Sequence, residues 1–290
     1  MDIIKLENVA KSYSNNIKAI DNLNLSVKEG EIYGFIGPNG AGKSTTIRLL
    51  LNFLKPDSGK ISVFGMSPAI DEVKIKQLTG YVSSDTFMYS DMKVSELFNF
   101  TESYHKINAK EKINQLVDIL DIDVNKRFEQ LSFGNRKKVS VACALLHSPK
   151  LIILDEPSNG LDPVIRINLY ELLKEEQKQG VTIFFSSHVL SEVQKFSTRI
   201  GLIKNGKLIK ETSASEFTNV GYRLVNVESE EKIDFSSLYG LAAYNQIGQN
   251  YSFIYSGNPN HLIELLNNFK IKSLHIEEPE LDDVFMHYFK

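Results

Sequence analysis

Residues 37–45 read GPNGAGKST, a G-x-x-x-x-G-K-[ST] loop set between an apolar run, EIYGFIG, and a helical run, STTIRLLLNFL. A strand that ends in such a loop and passes straight into a helix restricts the chain to folds in which helices cover a largely parallel sheet. Gly37, Gly40 and Gly42 let the backbone turn where a side chain would clash, so that successive N–H groups point inward around an anion. Asn39 and Ala41 complete the cradle, and Lys43 has the reach to meet the terminal phosphates. Ser44 and Thr45 open the helix, whose positive end favours the same charge, and the Ser44 hydroxyl is suited to a magnesium ion. A glycine-rich turn without a ligand is the plain alternative, but the flanking strand and helix favour a nucleotide.

With 290 residues, 42% of them hydrophobic, the chain can bury one large core and a smaller one. A net charge of −3 supplies no broad basic field, so nucleic acid is not an expected partner. No apolar stretch approaches the ~20 residues that span a bilayer, and the N-terminus, MDIIKLENVAKSY, lacks a secretory layout. A cytoplasmic location is expected, with any membrane reached through a partner. The single cysteine, Cys143, sits in the apolar run VACALL and reads as a buried structural thiol.

Along the chain, β-rich runs up to residue 36 predict a small antiparallel element ahead of the core strand, with a hairpin at Lys28, Glu29 and Gly30. GKISVFG suggests a further strand and residues 71–79 a short helix. From about Lys93 to Leu120, within a helical insertion at about 84–145, the pattern is helical, with Val94, Leu97, Phe98 and Thr101 on one face and Ile113, Leu116, Val117 and Leu120 on another. Strands return at LIILD, VTIFFSS and RIGLIK, each after a helical run, which is the alternation of a mainly parallel α/β sheet. Asn205–Gly206 predicts a two-residue hairpin that closes this domain near residue 212. Residues 213–290 then predict a small α+β domain, with strands at YRLVNVES, YSFIYSG and KSLHI, a helix at HLIELLNNF and a last helix.

LIILD ends in Asp155 and Glu156 at the carboxyl edge of a strand apolar on both faces. Asp155 can hold the magnesium ion opposite Ser44, and Glu156, one residue on, can polarise a water for in-line attack on a γ-phosphate. In isolation an Asp-Glu pair would read as a solvated turn. The phosphate loop upstream favours catalysis.

With these motifs the chain resembles the ATP-binding cassette (ABC) family over residues 1 to about 212. LSFGN at 131–135 stands where that family carries its signature LSGGQ, followed by the helix RKKVSVACALLHSP. The resemblance implies that Ser132 and Gly134 bind the γ-phosphate of ATP held by an opposite subunit, at a helix start that attracts anions. It further implies that Asn159, Gly160, Leu161 and Asp162 form a loop communicating across the dimer. His188 would contact the γ-phosphate, and Tyr13 would stack on adenine. Arg136, Lys137 and Lys138 crowd the positive end of the signature helix. A nearby phosphate would relieve that repulsion, or the three form a solvated basic turn.

Two departures qualify the match. Phe133 replaces the first signature glycine and Asn135 the glutamine. In GYVSSDTF, Ser84 stands where the family has a magnesium-binding glutamine, with Asp85 an alternative acceptor beside it. Hydrolysis is therefore expected to be slower, or more dependent on a partner. The ending EEPELDDVFMHYF sets Leu281, Val284, Phe285 and Tyr288 at helical spacing and resembles the tails of bacterial drug and antibiotic-resistance exporters. That likeness implies an ATP- and magnesium-dependent ATPase working beneath a separately encoded permease, as a homodimer or with a sibling ATPase. Phe87, Met88, Tyr89 and Met92 are candidate permease contacts. An importer ATPase, or a mechanical switch on a soluble partner, are the alternatives.

Overall fold

The computed structural model describes residues 1–13, 17–85, 89–219, 221–277 and 279. Two compact units divide the chain, residues 1–188 with 195–211 and residues 189–194 with 212–290. In chain order the elements are β1 (Asp2–Tyr13), β2 (Ile17–Lys28), β3 (Ile32–Ile36), α1 (Lys43–Leu50), β4 (Ser58–Val63), α2 (Glu72–Gln77) and β5 (Thr79–Val82). A helical stretch follows, with α3 (Val94–His105), α4 (Lys110–Leu120) and α5 (Phe133–Leu146). The sheet resumes with β6 (Leu151–Asp155), α6 (Pro163–Lys178), β7 (Thr182–Ser187), α7 (Leu190–Phe196), β8 (Arg199–Lys204) and β9 (Lys207–Ser213). The last elements are α8 (Ala214–Asn219), β10 (Arg223–Ser229), β11 (Leu241–Ile247), β12 (Asn250–Tyr255), α9 (Pro259–Leu266) and β13 (Ile271–Glu277).

Among the described residues the strands form three sheets, ordered β2-β1-β4, β5-β6-β7-β3-β8-β9 and β11-β12-β10-β13. Every residue of β3, β6 and β7 is buried, which suits strands with parallel neighbours and helices on both faces. This explains one departure from the sequence-based expectation. The turn at Lys28–Gly30 does not close a hairpin: β2 pairs with β1, whereas β3 pairs in parallel with β7 and β8. A strand apolar on both faces gains most in the centre of a sheet, while β2 alternates and needs one covered face. Asn205–Gly206 does form the expected tight turn, between neighbouring β8 and β9, with φ of 50° and 75° as a type I′ hairpin requires. β5 and β11 were not expected. In the second unit, Val225, Val227, Tyr251, Phe253 and Tyr255 pack with Leu262 and Leu266 of α9 into a separate core.

Helices α3 and α5 bring His105 and His147 face to face, with ring centroids 4.0 Å apart and planes 14° from parallel. Burial, reinforced by the neighbouring His105, pushes His147 down to about 4, and burial also lowers His105. An unfolded His147 titrates at about 6.5, so between those values the unfolded chain holds more protons. Stability from the neutral pair is thus complete above pH ~6.5 and lost as pH falls towards ~4. Melting temperatures taken from pH 7 to 4.5 should fall less steeply for His147→Gln than for the wild-type chain; equal slopes would place the acid sensitivity elsewhere. Cys143, on the same helix, is buried as expected, and burial pushes its thiol up to about 12.

Candidate nucleotide site

Parallel pairing aligns the carboxyl ends of three strands, with Ile36 opposite Ser187 and Asp155 opposite Ser186. The residues that follow them, Gly37, Glu156 and His188, therefore emerge at one edge of the sheet, where open α/β sheets bind ligands. Gly37 N–H donates to Ser187 O at 3.4 Å, tying the loop to β7.

The loop itself admits no side chain at two of its glycines. A Cβ on Gly37 would lie 2.4 Å from the Ile203 carbonyl oxygen, and one on Gly42, at φ +110°, would lie 2.6 Å from Ala19 O. Gly206, in the β8–β9 turn, clamps the loop from outside: its N–H donates to Ala41 O at 2.9 Å and its carbonyl accepts from Asp21 N–H at 3.0 Å. Helix α1 starts with no side-chain cap and no acidic residue in its first turn, so its N–H groups and positive end are left to an anion. Lys43 is buried and folds back over the loop, donating to Gly37 O at 2.7 Å and Pro38 O at 3.2 Å. Burial lowers its pKa, and the nearby Glu156 opposes that shift. The Tyr13 hydroxyl lies 3.3 Å from Thr45 Oγ1, which sets this half-exposed ring beside the start of α1.

Opposite the loop, Glu156 bridges two cationic or ionisable neighbours. Its Oε1 is 3.5 Å from Lys43 Nζ and its Oε2 is 3.1 Å from His188 Nδ1. The residue adopts φ +50°, a left-handed conformation that non-glycine residues rarely take and that recurs where function fixes geometry. Ser186 holds this corner: its Oγ donates to Asp155 Oδ1 at 2.6 Å and accepts from Glu156 N–H at 3.1 Å. Sequence reasoning missed Ser186, although a serine pair ending the apolar run TIFF was a visible signal. Asp155 is almost wholly buried at the strand end. Among the described residues there is no group of three or more His, Cys, Asp or Glu poised for a metal. The oxygen donors at this edge, the Asp155 carboxylate and the Ser44 hydroxyl, suit an ion such as magnesium, which takes one or two protein oxygens and completes its shell with water and phosphate.

A family model described as ABC transporter matches residues 20–159. The bacitracin transport ATP-binding protein BcrA of Bacillus licheniformis is 38% identical over 215 residues, covering 72% of this chain and 69% of BcrA. The chain belongs to the ABC transporter ATP-binding family. Among solved structures, cbiO1 of Clostridium perfringens, part of the cbiONQ ABC transporter complex, is 30% identical with a TM-score of 0.64, covering 75% of this chain and 90% of cbiO1. A dimeric bacterial ABC transporter cassette, MJ0796, is 26% identical with a TM-score of 0.67, covering 73% and 98% respectively. This ABC cassette is an ATPase with the P-loop α/β fold of its family, the ATP-binding subunit of a transporter. No helix among its described residues is long and apolar enough to cross a membrane.

The signature segment of the cassette corrects one sequence-based expectation. Arg136, Lys137 and Lys138 form neither a phosphate-facing cluster nor a solvated turn, because each is spent within the chain. Arg136 donates to the carbonyls of Phe128 and Glu129, at 3.2 and 2.7 Å. Lys137 donates to those of Ser83 and Ser84, at 2.8 and 2.9 Å. Lys138 caps the end of α4, 3.3 Å from Asp121 O. Ser132 is the exposed N-cap of α5 and accepts from Asn135 N–H at 3.3 Å. Gly134 lies so close to Gly160 that a Cβ would sit 2.4 Å from its carbonyl oxygen. Asp162, predicted to belong to the inter-subunit loop, caps α6 by accepting from Val164 and Ile165 N–H at 3.1 and 3.0 Å. Phe87, Met88 and the tail residues Leu281, Val284, Phe285 and Tyr288 lie outside the described residues.

Proposed function

We propose that the cassette hydrolyses ATP beneath a separately encoded permease and drives export. The juxtaposition of Lys43, Glu156 and His188 at the carboxyl edge of the sheet carries the catalytic part of this reading. Asn39, Gly40 and Gly42 present N–H groups to the phosphates, while Gly37 and Ala41, whose N–H groups go to Ser187 O and Pro38 O, hold the loop in shape; Lys43, Ser44 and Thr45 stand at the helix start and Tyr13 against the base. Glu156 takes the proton of a water that attacks the γ-phosphorus in line, the bond to the bridging oxygen breaks, and ADP and phosphate leave. His188 holds the Glu156 carboxylate from the side away from Lys43. Ser44 and Asp155 would hold a magnesium ion, which supplies charge neutralisation on the phosphate oxygens.

Exposed Ser132 and half-buried Gly134 would reach ATP on a second cassette, which the dimeric MJ0796 relative supports, and a partner of the same or a sibling sequence serves equally. Closure on ATP and opening after hydrolysis then move the permease. The BcrA likeness and the EP-x-L-x-D-x-F tail support export. Ser84 in place of the family's glutamine supports slow turnover without the permease.

Docking falls on the start of the helical stretch. Tyr89, Phe100 and Tyr104 are 62%, 47% and 68% exposed, and their rings follow one another at 5.6 and 6.4 Å. Met92, whose N–H donates to Tyr89 O at 3.2 Å, is half-buried. Such a run of exposed aromatics fits a partner helix better than water. Purification of the cassette from native-host membranes under Mg-ATP should bring a polytopic protein with it. Phe100→Glu with Tyr104→Glu should cut that recovery roughly tenfold without altering ATP affinity. A soluble ribosomal or repair complex in place of a membrane protein would overturn the transporter role, and uptake in reconstituted vesicles would overturn export.

A further inference from the structure

Lys137 lies in the first turns of α5, fully buried, and no step proposed above uses it. An ammonium taken out of water needs both hydrogen-bond acceptors and negative charge nearby. Its acceptors are the backbone carbonyls of Ser83 and Ser84, in the segment that leaves β5. Its charge partners are Asp155, Asp85 and Glu156, which oppose the lowering of its pKa by burial. The ammonium also sits 5.6 Å from the centre of the Phe133 ring. That ring lies over Gly160, where any Cβ would come within 2.5 Å of it. One side chain thus meets the loop after β5 and the start of α5, and through Phe133 it abuts the turn that follows Glu156.

We infer that Lys137 is a positioning residue for ATP hydrolysis, fixing the Ser83–Asp85 segment and the Phe133–Gly160 contact relative to the Asp155–Glu156 corner. The inference rests on the nucleotide-site reading and adds to it a group that touches neither ATP nor water. An apolar side chain at 137 leaves two part-buried carbonyls without their donor and removes the positive charge near Asp155 and Glu156. The loop after β5 then loosens while the phosphate cradle, built on Gly37–Thr45, stays intact. A merely structural lysine would change thermal stability and nothing else.

ATP turnover, ATP affinity and hydrogen exchange over Thr79–Asp85 should be measured for the wild-type chain and for Lys137→Met, Lys137→Gln and Lys137→Arg. Lys137→Met should lower kcat about tenfold with the Kd for ATP within about twofold, since small displacements near reacting groups affect rate before binding. Exchange at Ser84 and Asp85 should quicken by about tenfold in the same variant. Lys137→Arg, which keeps the charge and donors, should retain about a third or more of kcat. If Lys137→Met fails to fold, Lys137→Gln, which keeps an N–H donor on a side chain one atom shorter and loses the charge, decides by the same readings. Unchanged kcat in both neutral variants would overturn the inference, as would losses of rate and affinity that track stability and that Arg does not repair. A wild-type chain that neither binds nor hydrolyses ATP would instead strike the nucleotide-site reading. The exchange measurement, which needs no turnover, would then still decide the loop contact.

Discussion

Glu156→Gln should reduce ATP turnover by about 10²–10⁴-fold, the range expected when a positioned general base is lost. Binding should survive, because the amide keeps the shape of the carboxylate and an oxygen that can face Lys43, now 3.5 Å from Oε1. What disappears is the group able to accept a proton while hydrogen-bonded towards His188 Nδ1 at 3.1 Å. The variant should therefore accumulate bound, uncleaved ATP, measurable by filter retention of radiolabelled nucleotide alongside phosphate release. Turnover within about threefold of wild type would remove Glu156 from the reaction and leave it as a partner for Lys43.

Gly42→Ala is the second large effect, and its origin is steric. At φ +110° an alanine carries backbone strain of about 1–2 kcal/mol. Its methyl group would also lie 2.6 Å from Ala19 O and 2.8 Å from Ile20 Cδ1, for which overpacking costs of about 1–3 kcal/mol are usual. The loop can relieve this only by moving Lys43 and the first turn of α1, since Gly42 is the N-cap of that helix. ATP affinity should drop by about 100-fold or more, with a fall of several degrees in melting temperature. Gly40→Ala supplies the contrast. At φ +78° it is strained too, but a Cβ there meets nothing within 4 Å, so its loss should be much smaller. Equal affinities for the two variants would show that crowding at Gly42 does not shape the loop.

The phosphate loop, Asp155, Glu156 and His188 were legible because each is a short motif attached to an apolar strand, and parallel pairing then leaves no choice about which edge they share. Lys137 and Ser186 were not, because their partners are backbone carbonyls and neighbours 54 and 31 residues away in sequence, which no local pattern encodes. The basic triplet 136–138 misled for the same reason. Three adjacent cations look like a surface until the fold supplies each with its own acceptor. Among strands, β5 escaped notice because TGYV is four residues long and includes a glycine. β11 escaped because it is an edge strand with an irregular register between Ala242 and Asn245 and no buried alternation. The Lys28–Gly30 turn shows the remaining limit: turn chemistry marks where a chain reverses without saying which sheet the next strand will enter.

Gly206 gives the order of events during synthesis a physical constraint. Its two backbone hydrogen bonds, to Ala41 and from Asp21, lock the phosphate loop to a residue that leaves the ribosome far later than the loop itself. At translation speeds of about 5–20 residues per second, the loop waits on the order of ten seconds or more for this clamp. Through that interval the nascent chain holds a glycine-rich segment and an uncapped helix start that cannot yet be held in their final geometry. Nucleotide competence should thus switch on late and abruptly, once the β8–β9 turn has emerged, and chains stalled before residue 206 should fail to retain ATP.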